Sequence, residues 1–227
     1  MVSGSSQPKN SAFIPLLAAL AIQLSHPSCR PPEASNRPAY SRHPYSHGDY
    51  PPLKSGDLVF RTGRDLMARM ILSRGEASRF SHVGIIHLEQ GRPYVIHAIP
   101  EGDGSAGGVM REPLTAFAAD KVASDLGFYR FEGLSDASMG RAADKALSWV
   151  GRPFDARFEY STDSHLYCTE LVLKAYAFCI PDLKDRVAGI AVPLLQEPVF
   201  PPDHLRELPL LRPCPGPVPA RSRIQAP

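Results

Sequence analysis

Cys168 stands in the run Tyr167-Cys168-Thr169-Glu170-Leu171-Val172, where an amphipathic helix opens. A thiol near a helix N-terminus meets the positive end of the helix dipole and unpaired backbone N–H groups. Both favour thiolate over thiol, so the sequence predicts a lowered pKa. The same N–H groups can donate to an oxyanion. A second candidate is His82, in Ser81-His82-Val83-Gly84-Ile85, entering a strand. Gly84 reads as open space beside its imidazole. The third is His97, in the partner strand. A tight connection of even length pairs Leu88 with Pro93 and, counting back, Gly84 with His97 and His82 with Ile99. Side chains alternate, so His82 and His97 then share one face as a diagonal pair, and His87 points to the other. An odd loop or a bulge reverses this parity. Nucleophile, base and orienting group together describe thiol-dependent acyl transfer. His165, three residues before Cys168, is the competing base, although a local His there points along the helix start.

These residues need elements to hold them. Residues 57–62 (DLVFRT) read as a strand, and 64–74 as a helix with Leu66, Met67, Met70 and Ile71 on one face and Gly75 as its stop. Strands over 82–88 and 94–99 form a hairpin across Glu89-Gln90-Gly91-Arg92-Pro93. Residues 101–108 (EGDGSAGG) form a Gly-rich loop without the Lys-Ser/Thr of a phosphate cradle, which excludes nucleotide binding on that motif. A short helix is expected over 112–121, a strand over 126–131, and a helix over 137–150 capped by Asp136. A last helix opens near Asp163-Ser164 and runs through Cys168 to about Phe178. The order gives an α+β arrangement with a small antiparallel sheet.

The chain of 227 residues is 43% hydrophobic, enough for one ordinary core. Its 25 basic and 23 acidic residues leave a net charge of +2, with no basic stripe interleaved with aromatics. Nucleic acid is therefore not an expected partner. An apolar run from Ala12 to Leu24 has the length of a signal-peptide h-region and is too short to span a bilayer. Residues 1–29 thus read as an export signal, with the periplasm or cell envelope as destination. Cys29, after the small Ser28, is a candidate lipid-attachment site that would bring the protein to a membrane. His26 and Pro27 fit that pattern poorly. Residues 30–52 read as a Pro/Ser/His-rich linker in which His43 and His47 lack further ligands. Residues 53–190 form the domain, and 191–227 a Pro-rich C-terminal tail over the surface. Cys168 and Cys179 on one helix lie about 16 Å apart, too far for a disulfide.

The runs Lys54-Ser55-Gly56-Asp57-Leu58-Val59-Phe60, Ser81-His82-Val83-Gly84-Ile85 and Tyr167-Cys168-Thr169-Glu170-Leu171-Val172 together resemble the circularly permuted NlpC-type papain-like hydrolases, the YaeF/YiiX-like group, over residues 53–180. The resemblance implies a permuted papain-like core in which the His strand precedes the Cys helix. It implies Cys168 as nucleophile, His82 as base, and a polar orienting residue at the position of His97, which is often Glu in relatives. The Cys168 N–H, helped by Tyr167 or Thr169, would bind the oxyanion. Glu170 would face a basic neighbour rather than the sulfur. Amide substrates such as cell-wall peptides, or lipid-like acyl groups, are implied, with no cofactor and no metal. Two other readings use the same residues: a binding module for a lipid or peptide without turnover, and a zinc site of His82, His97 and Cys168.

Overall fold

The computed structural model describes residues 50–64, 78–102 and 106–216, all within one compact unit. The apolar N-terminal run, Cys29, nearly all of the linker, and all but Arg64 of the helix expected over 64–74 lie outside the described residues.

Among the described residues, six antiparallel strands make one sheet. They are β1 (Leu58–Gly63), β2 (His82–Glu89), β3 (Arg92–Ile99), β4 (Gly108–Pro113), β5 (Ala123–Phe131) and β6 (Leu211–Pro213), in the order β4-β3-β2-β1-β5-β6. The hairpin between β2 and β3 closes on Gln90 and Gly91, both with positive φ (51° and 77°). Such two-residue turns match the twist of the strands they join, and Gly accepts that backbone without strain. The even loop fixes Leu88 opposite Pro93 and Ile86 opposite Val95, the register expected from the sequence.

Both faces of the sheet are covered. On one, Leu58, Phe60, Val83, Ile85, Ile96 and Ala98 pack against α2 (Asp136–Leu147) and α3 (Cys168–Tyr176). The apolar positions of α2, Met139, Ala142, Ala143 and Ala146, recur at helical spacing and form a buried stripe. On the other face, Val59, Ile86, Val95, Leu126 and Phe128 pack against Leu114 and Phe117 of the one-turn helix α1 (Leu114–Phe117).

The structure corrects several sequence expectations. Residues 108–113 form β4, where the sequence suggested the end of a loop and the start of a helix. Ser135 caps α2, its Oγ accepting the Ser138 N–H at 3.1 Å, so Asp136 is the first helical residue. The Cys helix begins at Cys168 itself, not near Asp163. The expected surface tail also needs revision in its first part. Short helices α4 (Leu183–Arg186) and α5 (Pro202–Arg206) lead into β6, and Phe200, Leu205, Leu208 and Leu211 are buried in the main core. A Pro-rich composition hid this because the apolar residues that anchor the segment are sparse.

Candidate functional site

Cys168 is the first residue of α3, and its side chain is 8% exposed. Glu170 reaches back to accept the Tyr167 N–H at 3.1 Å, which satisfies one donor at the helix start. Its other oxygen pairs with Lys174 at 2.9 Å, one turn along. Lys174 also pairs with Asp163 at 2.6 Å. Burial raises the Glu170 carboxyl to about 7. Glu170 thus serves the helix start and a basic neighbour, as expected.

The sulfur lies beside the Thr169 hydroxyl, 3.9 Å away. Amide N–H groups of Val83, Thr169 and Cys168 also act on it and pull the thiol pKa down. Burial outweighs them, and the thiol pKa stands above its ordinary value. The expected lowering is therefore not what the site produces: the helix start favours thiolate, but desolvation is the larger effect. The Val83 amide is the link to the other half of the site, since it belongs to the residue after His82.

His82 opens β2, and His97 lies in β3 with 1% exposure. His82 Nε2 is 2.8 Å from His97 Nδ1, with the rings edge to face. The shared face follows from the hairpin register. His87 points to the opposite face and lies 3.9 Å from Asp144 on α2. Gly84 is not open space. A Cβ there would collide with the Val95 side chain and stand 3.1 Å from the His97 Cβ. The missing side chain is what lets His97 pack beside His82.

Three residues that sequence reasoning did not single out complete this face. Phe117 stacks on the His82 ring at 5.7 Å and meets the His97 ring edge-on at 5.1 Å. Arg61, opposite His82 on β1, sits with its guanidinium 4.4 Å from the centre of the Phe117 ring and donates to the Phe117 carbonyl at 3.2 Å. Glu112 of β4 brings Oε1 to 3.0 Å from His97 Nε2, close enough to pair although the ring N–H is not ideally aligned. Burial holds the His82 pKa well below its usual value, and the Arg61 charge adds to this. Burial lowers His97 as well, while the Glu112 contact opposes the shift. The net shift of both rings is toward the neutral imidazole.

Tyr167 was expected to support the oxyanion site. Its N–H is taken by Glu170, its ring is buried against Phe158, and its hydroxyl accepts the Phe200 N–H at 3.3 Å. Thr169 stays beside the sulfur. His165 is exposed and bonds Ser164 at 2.9 Å.

A thiol at a helix start, carried to the strand of a His pair that precedes it in the chain, on an α+β frame, defines the permuted papain-like class. Residues 52–189 match the family described as permuted papain-like amidase enzyme, YaeF/YiiX, C92. The chain belongs to this family. It is 29% identical over 124 residues to the "Uncharacterized protein YiiX" of Escherichia coli strain K12, covering 54% of this chain. The match spans 57% of that relative's length. Among solved structures, that of "metalloprotein yiiX" from Escherichia coli O157:H7 superimposes with a TM-score of 0.55 at 25% identity, covering 73% of this chain and 98% of that one.

Proposed function

We propose that the protein is a thiol hydrolase of the amidase type, with Cys168 as nucleophile, His82 as general base and His97 as the residue that orients it. The observation that carries this reading is the His82 Nε2 to His97 Nδ1 contact of 2.8 Å, which leaves Nδ1 of His82 as the nitrogen to serve the thiol. Because both partners rest neutral, the thiol proton moves from Sγ to His82 Nδ1 as the sulfur adds to the acyl carbonyl. The Cys168 backbone N–H is the oxyanion donor. On collapse, the imidazolium protonates the departing amine and a thioester remains. His82 then takes a proton from water, the oxygen adds, and the expelled thiolate recovers the proton as the acid leaves.

The substrate class this site suits is an amide or ester of a peptide or a lipid-like acyl group. The apolar run over 12–24 supports placement at the cell envelope, with Cys29 as a candidate attachment point. Among the described residues, no helix is long and apolar enough to cross a membrane.

The related structure is described as that of a metalloprotein, which raises a metal reading. The described residues do not fit it. No group of three or more His, Cys, Asp and Glu side chains among them is disposed to hold an ion. The two histidines turn facing nitrogens toward each other, and His97 Nε2 faces Glu112, so they do not converge on a common point.

The test is the p-nitrophenolate burst from p-nitrophenyl acetate, which reports acylation of the enzyme. Cys168→Ala should abolish the burst, and His82→Ala should slow it by about 10²–10⁴-fold. A burst that survives Cys168→Ala removes the proposal.

A further inference from the structure

The two imidazoles share one proton across the 2.8 Å contact, and it can lie either way. In one arrangement His82 carries its proton on Nε2 and donates to His97 Nδ1. His97 then carries its own proton on Nε2, facing the Glu112 carboxylate at 3.0 Å. In the other, His97 donates from Nδ1, and its Nε2 lone pair faces the carboxylate. His82 would then be protonated on Nδ1, the nitrogen that must accept from the thiol. His97 is 1% exposed, so little water reaches the pair to relieve a lone pair set against an anion.

We infer that Glu112 is a positioning residue for this reaction: by holding a proton on His97 Nε2 it selects the His82 tautomer whose Nδ1 is free to take the thiol proton. The inference rests on the hydrolase reading above. Glu112 touches neither the sulfur nor a substrate; it acts through His97. Among the described residues, those facing the His82 ring include Arg61 from β1, His97 from β3 and the Phe117 ring from α1, with Cys168 at the start of α3 beside the next residue. Arg61 disfavours a cation on His82. Glu112 offsets it as the imidazolium forms, through a ring that passes the charge on. The contacts run from His82 through His97 to Glu112, and the proposed reaction adds Cys168 at the His82 end, with a carboxylate at the other.

Glu112→Ala and Glu112→Gln separate this role from simple packing. The probe is p-nitrophenyl acetate, with the burst rate followed from about pH 5 to pH 9 beside wild type and Cys168→Ala. Nitrogen-15 NMR of the His82 ring reads its tautomer directly. Glu112→Ala should slow the burst at least about tenfold, up to the 10²–10⁴ range of a lost base, and move the His82 ring toward the Nδ1–H form. Glu112→Gln keeps an oxygen that can accept from Nε2–H without the charge, so it should fall between Ala and wild type on both readouts. Wild-type rates and tautomer in both variants would overturn the role of Glu112 while leaving the hydrolase intact. A slower burst with an unchanged tautomer would also overturn it, reducing Glu112 to packing. A burst that survives Cys168→Ala would sink the hydrolase reading and this inference with it. If Glu112→Ala does not fold by circular dichroism, the isosteric Gln variant decides.

Discussion

At Cys168 two effects oppose each other: amides at the helix start and the Val83 N–H stabilise a thiolate, and burial destabilises it more. His82 mirrors this, held neutral by burial over the Phe117 ring and by Arg61. Both shifts favour the uncharged pair, so in the proposed mechanism His82 takes the proton only as the sulfur attacks. A raised thiol pKa means less thiolate at neutral pH than an ordinary cysteine has. Iodoacetamide alkylation of Cys168, followed by peptide mass, should thus still be rising at pH 9, with no plateau on the acid side. A plateau below pH 6 would mean that a thiolate–imidazolium pair pre-exists. The neutral His82 also places the acid limb of kcat/KM below the ordinary imidazole value of about 6.5.

The element that carries most of what the sequence hid is the stretch from β4 into α1. It delivers Glu112 and Phe117 to the His pair, and reading its last residues as helix made both look like ordinary surface or core positions. A second element acts at a distance. Asp203 of α5 accepts the backbone N–H groups of Arg79 (2.5 Å) and Phe80 (2.8 Å) and the Ser78 hydroxyl (3.1 Å) on one oxygen, while Arg206 pairs with the other at 2.7 Å. It clamps the segment that leads into His82. Asp203→Ala leaves the buried Phe80 N–H and the partly buried Ser78 and Arg79 donors without this acceptor, so stability to urea should fall by about 1–3 kcal/mol. Asp203→Asn keeps a carbonyl oxygen and should lose less. Equal stability of wild type and the Ala variant would show that the clamp contributes nothing.

For the molecule as a whole, the family match ends at residue 189, yet the core does not. Phe200, Leu205, Leu208 and Leu211 are each less than a tenth exposed, and β6 closes the edge of the sheet beside β5. Burying such side chains contributes about 1.5–3 kcal/mol each, which together rivals the 5–15 kcal/mol of a whole domain. A chain ended after residue 190 should therefore show no cooperative thermal unfolding by circular dichroism. One ended after residue 216 should melt cooperatively. A cooperative transition in the shorter chain would mean that 191–216 merely rests on a self-sufficient domain.

Much of this was legible from local chemistry alone. The three motifs, the α+β order, the Cys helix and the hairpin register that sets His82 beside His97 all follow from residue type and short-range periodicity. A two-residue turn with Gly91 leaves little freedom in pairing. What needed the tertiary structure was whatever depends on distant segments meeting. The protonation of Cys168 and His82 is set by burial, and burial is the sum of contacts from β1, α1 and α3. Glu112 reaches His97 only because β4 pairs with β3, a strand pairing that the Gly-rich residues before it conceal. Asp203 looks like any surface carboxylate until α5 is docked on the loop before His82. Spacing along a chain specifies which side chains share a strand face or a helix turn, whereas desolvation and cross-chain partners exist only once the whole chain is packed.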